Sequence, residues 1–337
     1  MSKMYNVAVA GATGAVGLEM LKTLEKRNFP VKSLRLLASA RSVGKQLEFK
    51  GEKIPVEEMT NDSFKGIDIA LFSAGASRSK DFAKACVESG AVMIDNSSAF
   101  RMVPDVPLVV PEINPEDAFQ HKGIIANPNC TTIIMLVALN PLYKLSPIRR
   151  IIVSTYQCSS GAGQKGMNEL LTQTADYVNG RPIVPQVFPF QYAFNLFSHN
   201  TAIGPNGYNE EEMKMVNETR KIMHDANISV CPTCIRIPTI RSHAEAITIE
   251  QERKVSVEEA LAALAKAPGV KIVNDAATNH FPMPIESNDQ YDVLVGRVRD
   301  DLSCPKGLAL FVCGDQLLKG AAQNAVQIAE VLASRNA

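Results

Sequence analysis

No excess of either charge marks this chain, in which 35 lysines and arginines offset 35 aspartates and glutamates over 337 residues. A neutral balance carries no basic footprint for nucleic acid and no cationic face for an anionic membrane. No apolar run is long enough to span a bilayer. The start, Met1-Ser-Lys-Met-Tyr5, leads into a strand-like run without the apolar core of a secretory leader. These absences predict a cytoplasmic protein, and the length leaves room for two domains. The seven cysteines (Cys86, Cys130, Cys158, Cys231, Cys234, Cys304 and Cys313) are odd in number and scattered, which predicts reduced thiols. Cys231-Pro-Thr-Cys234 has no second Cys/His pair to complete a metal site, so a structural pair of thiols is expected and no metal. Internal repeats and low-complexity segments are also missing.

What is present starts at the N-terminus. Tyr5 to Ala10 reads as a buried strand and runs straight into Gly11-Ala-Thr13-Gly14-Ala15-Val16-Gly17, after which Leu18 to Glu25 has a helical pattern. Glycines between a strand and a helix let the backbone approach a pyrophosphate, and the free N–H groups of the helix start face it. The spacing is G-x-x-G-x-x-G, a variant of the usual dinucleotide fingerprint. The second strand, Leu34 to Ala38, indicates which dinucleotide. An NAD site carries an acid about 20 residues past the glycines. Here Ser39, Arg41, Ser42 and Lys45 follow the strand and no carboxylate does. An arginine can pair with a 2′-phosphate that an acid would repel. NADP(H) is therefore expected, with the plain alternative that Arg41 is a solvated loop residue.

Asn127-Pro-Asn-Cys130-Thr-Thr132 joins a strand-like run, Gly123 to Ala126, to an apolar helix-like run, Thr131 to Leu142. Pro128 disfavours helical geometry at Asn127, so the chain turns there. A cysteine at a helix start meets the positive end of the macrodipole, which stabilises the nucleophilic thiolate.

Strand and helix patterns alternate up to about residue 127, with strands at Ile67–Phe72, Val92–Asp95, Leu108–Val110 and Gly123–Ala126 and a helix at Ser79–Glu88. Such alternation implies right-handed crossovers and a parallel sheet. Past Cys130 the texture changes. Arg150–Thr155 and Ile228–Ile237 read as longer strands, Ala244–Ile249 and Tyr291–Arg299 as half-buried antiparallel ones, and Asn209–His224 and Ser256–Ala265 as helices. Arg181 to Asn206 is rich in Pro, Phe and Asn and reads as a lobe with little regular structure. The last helix, Gly320–Ser334, has an Ala/Ile/Val face and is expected to pack on the first domain. Thr155-Tyr-Gln157-Cys-Ser-Ser160-Gly161-Ala-Gly163 follows a strand as a second glycine-rich turn. In Arg236-Ile-Pro-Thr-Ile-Arg-Ser-His243 an extended chain would put the arginine and histidine on opposite faces, but Pro238 and the bend around Ser242 make that parity unreliable. A histidine near a thiolate could shuttle protons and an arginine could grip a carboxylate. A packing histidine is the competing interpretation of His243.

With these motifs in hand, the chain resembles the aspartate-β-semialdehyde dehydrogenases over essentially its whole length. GATGAVG, RSVGK, NSSAFR, ANPNCTT, YQ-x-x-SGAG, RIP-x-x-x-x-H and GAAQNAVQIAE stand in the family's order. The resemblance implies a Rossmann-type NADP-binding domain over residues 1–127 plus 318–337. It also implies an α+β catalytic and dimerisation domain over 128–317, with a mixed, largely antiparallel sheet. Cys130 would form an acyl-thioester, Gln157 would position the acyl group and His243 would be the general acid/base. Arg236 would hold the substrate α-carboxylate, with Glu211 and Lys214 facing the amino group and phosphate. Asn96 and Arg101 would join the substrate site, Arg101 at the phosphate. Gly11, Thr13, Gly14, Ala15, Val16, Gly17, Ser39, Arg41, Ser42, Ser160, Gly161 and Gln316 would contact NADP(H). The implied reaction is reduction of L-4-aspartyl phosphate to L-aspartate 4-semialdehyde by a homodimer, in lysine/diaminopimelate, threonine and methionine biosynthesis.

Two segments depart from the pattern. Cys158-Ser159 replaces the family's usual Ala-Val, and a second thiol near the site is expected to make the enzyme more prone to oxidation. Asp315-Gln316 replaces Asp-Asn, which puts that cofactor contact in question. The rival activities are reduction of another acyl phosphate, such as N-acetylglutamyl phosphate, and a catalytically silent NADP-binding regulator. Arg236 with Glu211, fitting a free amino acid's two charges, speaks against the first, and the presence of both Cys130 and His243 against the second.

Overall fold

The strand Tyr5–Ala10 (β1) is buried almost throughout and lies at the centre of the first sheet. The computed structural model describes residues 3–335, and it divides into two units, Met1–Asn129 with Ala321–Ala337, and Cys130–Gly320.

In the first unit, β1 is followed by the helix Ala15–Lys26 (α1), which buries Gly17, Met20, Leu21 and Leu24 along one stripe. Next come the strands Val31–Ala38 (β2), Gln46–Phe49 (β3), Glu52–Glu58 (β4) and Ile69–Phe72 (β5). The helix Ala76–Glu88 (α2) and the strands Val92–Asp95 (β6) and Ile124–Ala126 (β7) complete the series. The sheet order is β3-β4-β2-β1-β5-β6-β7. Every pairing is parallel except β3 with β4, a hairpin turned at Lys50 and Gly51, both at positive φ. Leu108–Val110, expected as a strand, makes only an isolated bridge from Leu108 to Ala126. The C-terminal helix Gln323–Ser334 buries Ala325, Val326, Ile328 and Ala329 in the cluster that holds Val7, Val9 and Leu24.

The second unit begins with the helix Cys130–Leu145 (α3), apolar on nearly all sides and correspondingly buried from Thr131 to Asn140. Then follow the strand Ile148–Gln157 (β8), the helix Gly163–Val178 (α4) and the short strand Phe197–Ser198 (β9). The helix Glu210–Ile222 (α5) starts with a reciprocal cap: Glu212 N–H donates to Asn209 Oδ1 and Asn209 N–H to Glu212 Oε2, each at 2.9 Å. The strands Ser229–Arg236 (β10) and His243–Gln251 (β11), the helix Val257–Leu264 (α6), and the strands Val270–Ile272 (β12), Val293–Asp300 (β13) and Gly307–Gly314 (β14) complete the unit. The order is β12-β13-β14-β11-β8-β10-β9, with β8–β10 and β12–β13 parallel and the other pairs antiparallel. The sheet is thus mixed and largely antiparallel, as expected. α4 and β14 were not anticipated. Residues 181–206 hold only β9, but their aromatics form a buried cluster with Phe188, Tyr192 and Ala193 around Leu170.

Candidate active site

Strand direction gathers the polar residues of the second unit at one end of its sheet. β8 and β10 run parallel and in register, so Gln157 and Arg236, their last residues, lie side by side. β11 runs antiparallel to β8 and begins at that same end, with Ala244 opposite Tyr156. Its first residue, His243, therefore arrives beside the end of β8. The turn before it is tied down: Ser159 N–H donates to Thr239 O (2.9 Å) and Ser160 N–H to Ile240 O (3.1 Å). Ser242 adopts φ +69°, a left-handed conformation uncommon for a residue with a Cβ, and this bend delivers the histidine. The bend expected around Ser242 is thus what sets aside strand parity, and Arg236 and His243 converge.

α3 packs on the sheet and carries Cys130 at its first position, half-buried. Cys130 Sγ lies 3.2 Å from His243 Nε2. The far side of the ring is held by residue 158: Cys158 N–H donates to Nδ1 at 3.1 Å, and Cys158 Sγ lies 3.3 Å from the same atom. His243 is fully buried, and burial, then the Arg236 charge, pushes its pKa down to about 3. It is a neutral imidazole at physiological pH.

Arg236 is 6 % exposed. Nη1 donates to Cys158 O at 3.1 Å and the guanidinium carbon stands 5.7 Å from the Phe188 ring centre. Its buried Nε has no hydrogen-bond partner. A buried guanidinium with an open donor is suited to a planar anion. Gly161 lies under both side chains: a Cβ there would come within 3.1 Å of Arg236 Nη1 and 3.7 Å of His243 Cε1. Gln157 accepts from Thr155 Oγ1 (3.0 Å) and donates to Glu211 Oε1 (3.1 Å), and Glu211 Oε2 receives Lys214 Nζ at 2.9 Å. So Cys130, Gln157, Glu211, Lys214, Arg236 and His243 form one constellation. Arg241, the nearest competitor for a carboxylate role, is bound by Asp315 (2.7 Å) and Asp289 (2.8 Å).

Several contributors escaped the sequence reading. Tyr192 donates to Gln157 O at 3.3 Å, and Phe188 underlies Arg236; both come from the irregular lobe. His199, just past β9, is buried and pushed down to about 4 by burial and then by Arg236. No motif marked it in the sequence. Cys158 is a correction: the thiol expected to invite oxidation is fully buried, and burial pushes it up to about 11, so little thiolate exists to be oxidised. Ser160 and Gln316 spend their polar groups inside the unit: Gln316 Nε2 donates to Ser160 Oγ, and Gln316 Oε1 accepts from Ser242 N–H at 2.9 Å. Cys231 is exposed and Cys234 buried, on opposite faces of β10, and among the described residues no cluster of metal-ligating side chains occurs.

The first unit holds its expected residues around the turn between β1 and α1. Gly11 has φ +85°, and a Cβ on it would stand 2.3 Å from Ser73 O; one on Gly17 would stand 2.3 Å from Gly11 O. Gly14 caps α1 with no side chain, leaving Thr13, Ala15 and Val16 to line the turn. Thr13 Oγ1 lies 3.3 Å from Ser42 Oγ, joining this turn to the segment after β2 that carries Ser39 and Arg41. Arg41 is exposed, and no described carboxylate pairs with it. This bare, tightly folded turn with an open helix start fits a dinucleotide phosphate. Asn96 and Arg101 sit beyond β6. Arg101 is buried and donates to Asn127 O (3.0 Å) and Asn96 O (2.9 Å), while Asn127 Nδ2 donates to Asn96 Oδ1.

Comparison with known proteins agrees with both units. Residues 6–121 match the family described as semialdehyde dehydrogenase, NAD binding domain, and residues 139–319 match semialdehyde dehydrogenase, dimerisation domain. Fold and site thus define an oxidoreductase of the semialdehyde dehydrogenase class with an NAD(P)-binding domain. An aspartate-semialdehyde dehydrogenase of Synechocystis sp. is 56 % identical over 335 residues, 99 % of each chain. The Bacillus subtilis aspartate-semialdehyde dehydrogenase is 48 % identical over 344 residues, 100 % of this chain and 99 % of that one. The crystal structure of aspartate semialdehyde dehydrogenase II from Vibrio cholerae superposes with a TM-score of 0.96 at 46 % identity, covering 98 % of this chain and 99 % of that one. The same enzyme complexed with ASA also gives 0.96. The chain belongs to the aspartate-semialdehyde dehydrogenase family.

Proposed function

We propose that the chain reduces L-4-aspartyl phosphate to L-aspartate 4-semialdehyde with NADPH, through a thioester on Cys130, in the biosynthesis of lysine/diaminopimelate, threonine and methionine. The observation that carries this reading is the 3.2 Å approach of Cys130 Sγ to His243 Nε2 beside a buried arginine with an open donor.

Arg236 takes the α-carboxylate and Glu211 the ammonium group, two opposite charges at one end of a free amino acid. Gln157, clamped between Thr155 and Glu211, presents its amide to the acyl group. Cys130 sulfur attacks the acyl carbon; the C–S bond forms and the bond to the phosphate oxygen breaks. Lys214 neutralises the departing phosphate, and the family pattern assigns Arg101 and Asn96 to the same group. The glycine turn would hold the NADPH pyrophosphate and Arg41 and Ser42 its 2′-phosphate, and the bound cofactor would supply the hydride. Ser39 and Gly161 complete the cofactor contacts that the family pattern assigns, while the side chains of Ser160 and Gln316 are engaged with each other and with Ser242 N–H. His243 handles the proton at the sulfur as the aldehyde is released.

The dimerisation-domain match supports a homodimer. So does the outward face of β8 and β14, which leaves Ile152 41 % exposed and Tyr156 and Phe311 only half-covered. Among the described residues no helix is long and apolar enough to cross a membrane, and we assign the chain to the cytoplasm. The test is NADPH formation from aspartate semialdehyde plus phosphate, with N-acetylglutamate semialdehyde as competitor. Turnover of the second substrate alone, or persistence of activity in Cys130→Ser, overturns the assignment.

A further inference from the structure

The buried stripe of α4 is partly polar. Gly166, Glu169, Leu170 and Gln173 face inward at helical spacing, with Glu169 7 % and Gln173 2 % exposed. Buried polar side chains need partners, and these two find theirs in backbone that lies in no helix or strand. Glu169 Oε1 accepts from Gln186 N–H at 3.0 Å, and Glu169 Oε2 accepts from Val187 N–H. Gln173 Oε1 accepts from Tyr192 N–H at 2.6 Å and from Ala193 N–H at 3.1 Å. The two side chains are also joined, Gln173 Nε2 donating to Glu169 Oε1 at 2.8 Å. A backbone N–H can only donate, so every direction in this set is fixed. One turn of α4 thus collects four backbone donors of the lobe over residues 181–206, in place of the ladder that a strand would supply.

The residues that the lobe brings to the site sit at these moorings. Phe188 directly follows Val187, and the Arg236 guanidinium carbon stands 5.7 Å from its ring centre. Tyr192, held by Gln173 through its N–H, donates through its hydroxyl to Gln157 O at 3.3 Å. The two rings have centres 4.4 Å apart and pack with Leu170. Gly166 lets Phe188 approach the helix: a Cβ there would stand 3.2 Å from Phe188 Cζ.

We propose that Glu169 and Gln173 are positioning residues for substrate binding: they moor the lobe to α4 so that Phe188 backs the Arg236 guanidinium and fixes its orientation toward the substrate carboxylate. The inference rests on Arg236 being the carboxylate ligand. Nη1 is tied to Cys158 O at one corner of the group, and the aromatic ring attracts the cation from another side. Two restraints orient a planar fork, and the open Nε donor then has one direction to face. With the moorings cut, the ring withdraws, the guanidinium turns about its Cys158 contact, and the two-donor match to a carboxylate is lost.

The test is steady-state kinetics of the full-length enzyme with aspartate semialdehyde, phosphate and NADP, with melting curves alongside. Gln173→Met keeps the length of the side chain and removes its donor and its acceptor. It is expected to raise KM for aspartate semialdehyde about 2- to 30-fold, the span of a cation–π contact, with a smaller change in kcat. Phe188→Leu leaves the moorings in place, removes the ring and should raise KM alike. Gln173→Glu alone sets two carboxyls against each other. Adding Glu169→Gln reverses donor and acceptor within the pair, keeps an acceptor for the lobe on both residues and restores most of the affinity. A general loss of folding would lower activity whatever stands at position 236, so Gln173→Met and Phe188→Leu are repeated in the Arg236→Lys background. Acting through the arginine, they add little there. An unchanged KM in Gln173→Met or in Phe188→Leu overturns the proposal. So do losses that multiply in full in the Arg236→Lys background, and a double exchange no better than Gln173→Glu. An Arg236→Lys enzyme with unchanged kcat/KM strikes the carboxylate assignment itself, and the proposal with it, whatever the α4 variants show.

Discussion

Replacing Arg236 by lysine keeps a positive charge at the end of β10 and removes the planar fork. In the structure Nη1 holds Cys158 O at 3.1 Å, the guanidinium stacks over Phe188, and Nε is left open. An ammonium cannot both keep the Cys158 contact and offer a carboxylate two parallel donors. One hydrogen bond to a charged group is worth about 1.5–3 kcal/mol, which is roughly 10- to 150-fold in rate or binding. Because Cys158 also touches His243, a shift there displaces the reacting groups, and small misplacements extend the loss toward about 1,000-fold. We therefore expect kcat/KM for aspartate semialdehyde to fall roughly 10- to 1,000-fold, with NADP affinity unchanged. Arg241→Lys is the comparison. That arginine is occupied by Asp315 and Asp289, so its loss should lower the melting temperature more than it lowers kcat/KM. Steady-state kinetics with NADP and phosphate, together with melting curves, read both effects. A larger kinetic loss at Arg241 than at Arg236 would refute the choice of carboxylate ligand.

Three further outcomes are expected. Arg41→Ala should weaken NADP(H) binding by about 1.5–3 kcal/mol and hardly affect NAD(H); equal losses in fluorescence titrations would remove Arg41 from the 2′-phosphate. Acid should remove the stability that the two buried neutral histidines contribute, while fully buried Glu245, its carboxyl held well above the usual range by burial, works in the opposite direction. His243 and His199 stay neutral down to about 3 and about 4, whereas in the unfolded chain they take protons near about pH 6.5. The unfolded state binds more protons on these two residues in that window, so their contribution is complete above about pH 6.5 and falls as pH drops toward about 4. Melting curves over this range check it through His199→Gln, which should remove that residue's share of the loss; a slope that this variant leaves unchanged refutes it. Gly11→Ala should cost well over about 1 kcal/mol, because it adds a Cβ 2.3 Å from Ser73 O to a residue at φ +85°. Gly44→Ala, at φ +84° with nothing within 4 Å, carries the backbone strain alone. Equal melting-temperature losses would mean that the close approach to Ser73 is unimportant.

Local pattern determined much of this protein. The run Tyr5–Ala10, its glycine turn and the stripe of α1 were legible because each depends on residues adjacent in the chain: apolar side chains, small ones, then apolar ones again at helical spacing. The same holds for Cys130 at the start of α3, since Pro128 breaks the chain and the apolar run begins behind it. The absence of an acid after β2 was likewise a local fact. Strands with unremarkable composition were missed, β3 and β4 because they pair at the sheet edge and β14 because its pattern becomes meaningful only against β11 and β13. The convergence of Cys130, His243 and Arg236 could not be read locally. Their spacing in the chain is irrelevant to their distance; the antiparallel entry of β11 beside β8 and the parallel register of β10 decide it. Nor could the sequence say whether Cys158 is a liability or a partner, because a thiol's reactivity depends on burial and neighbours. Only the tertiary structure places it at 0 % exposure between Ser160 and the back of the imidazole.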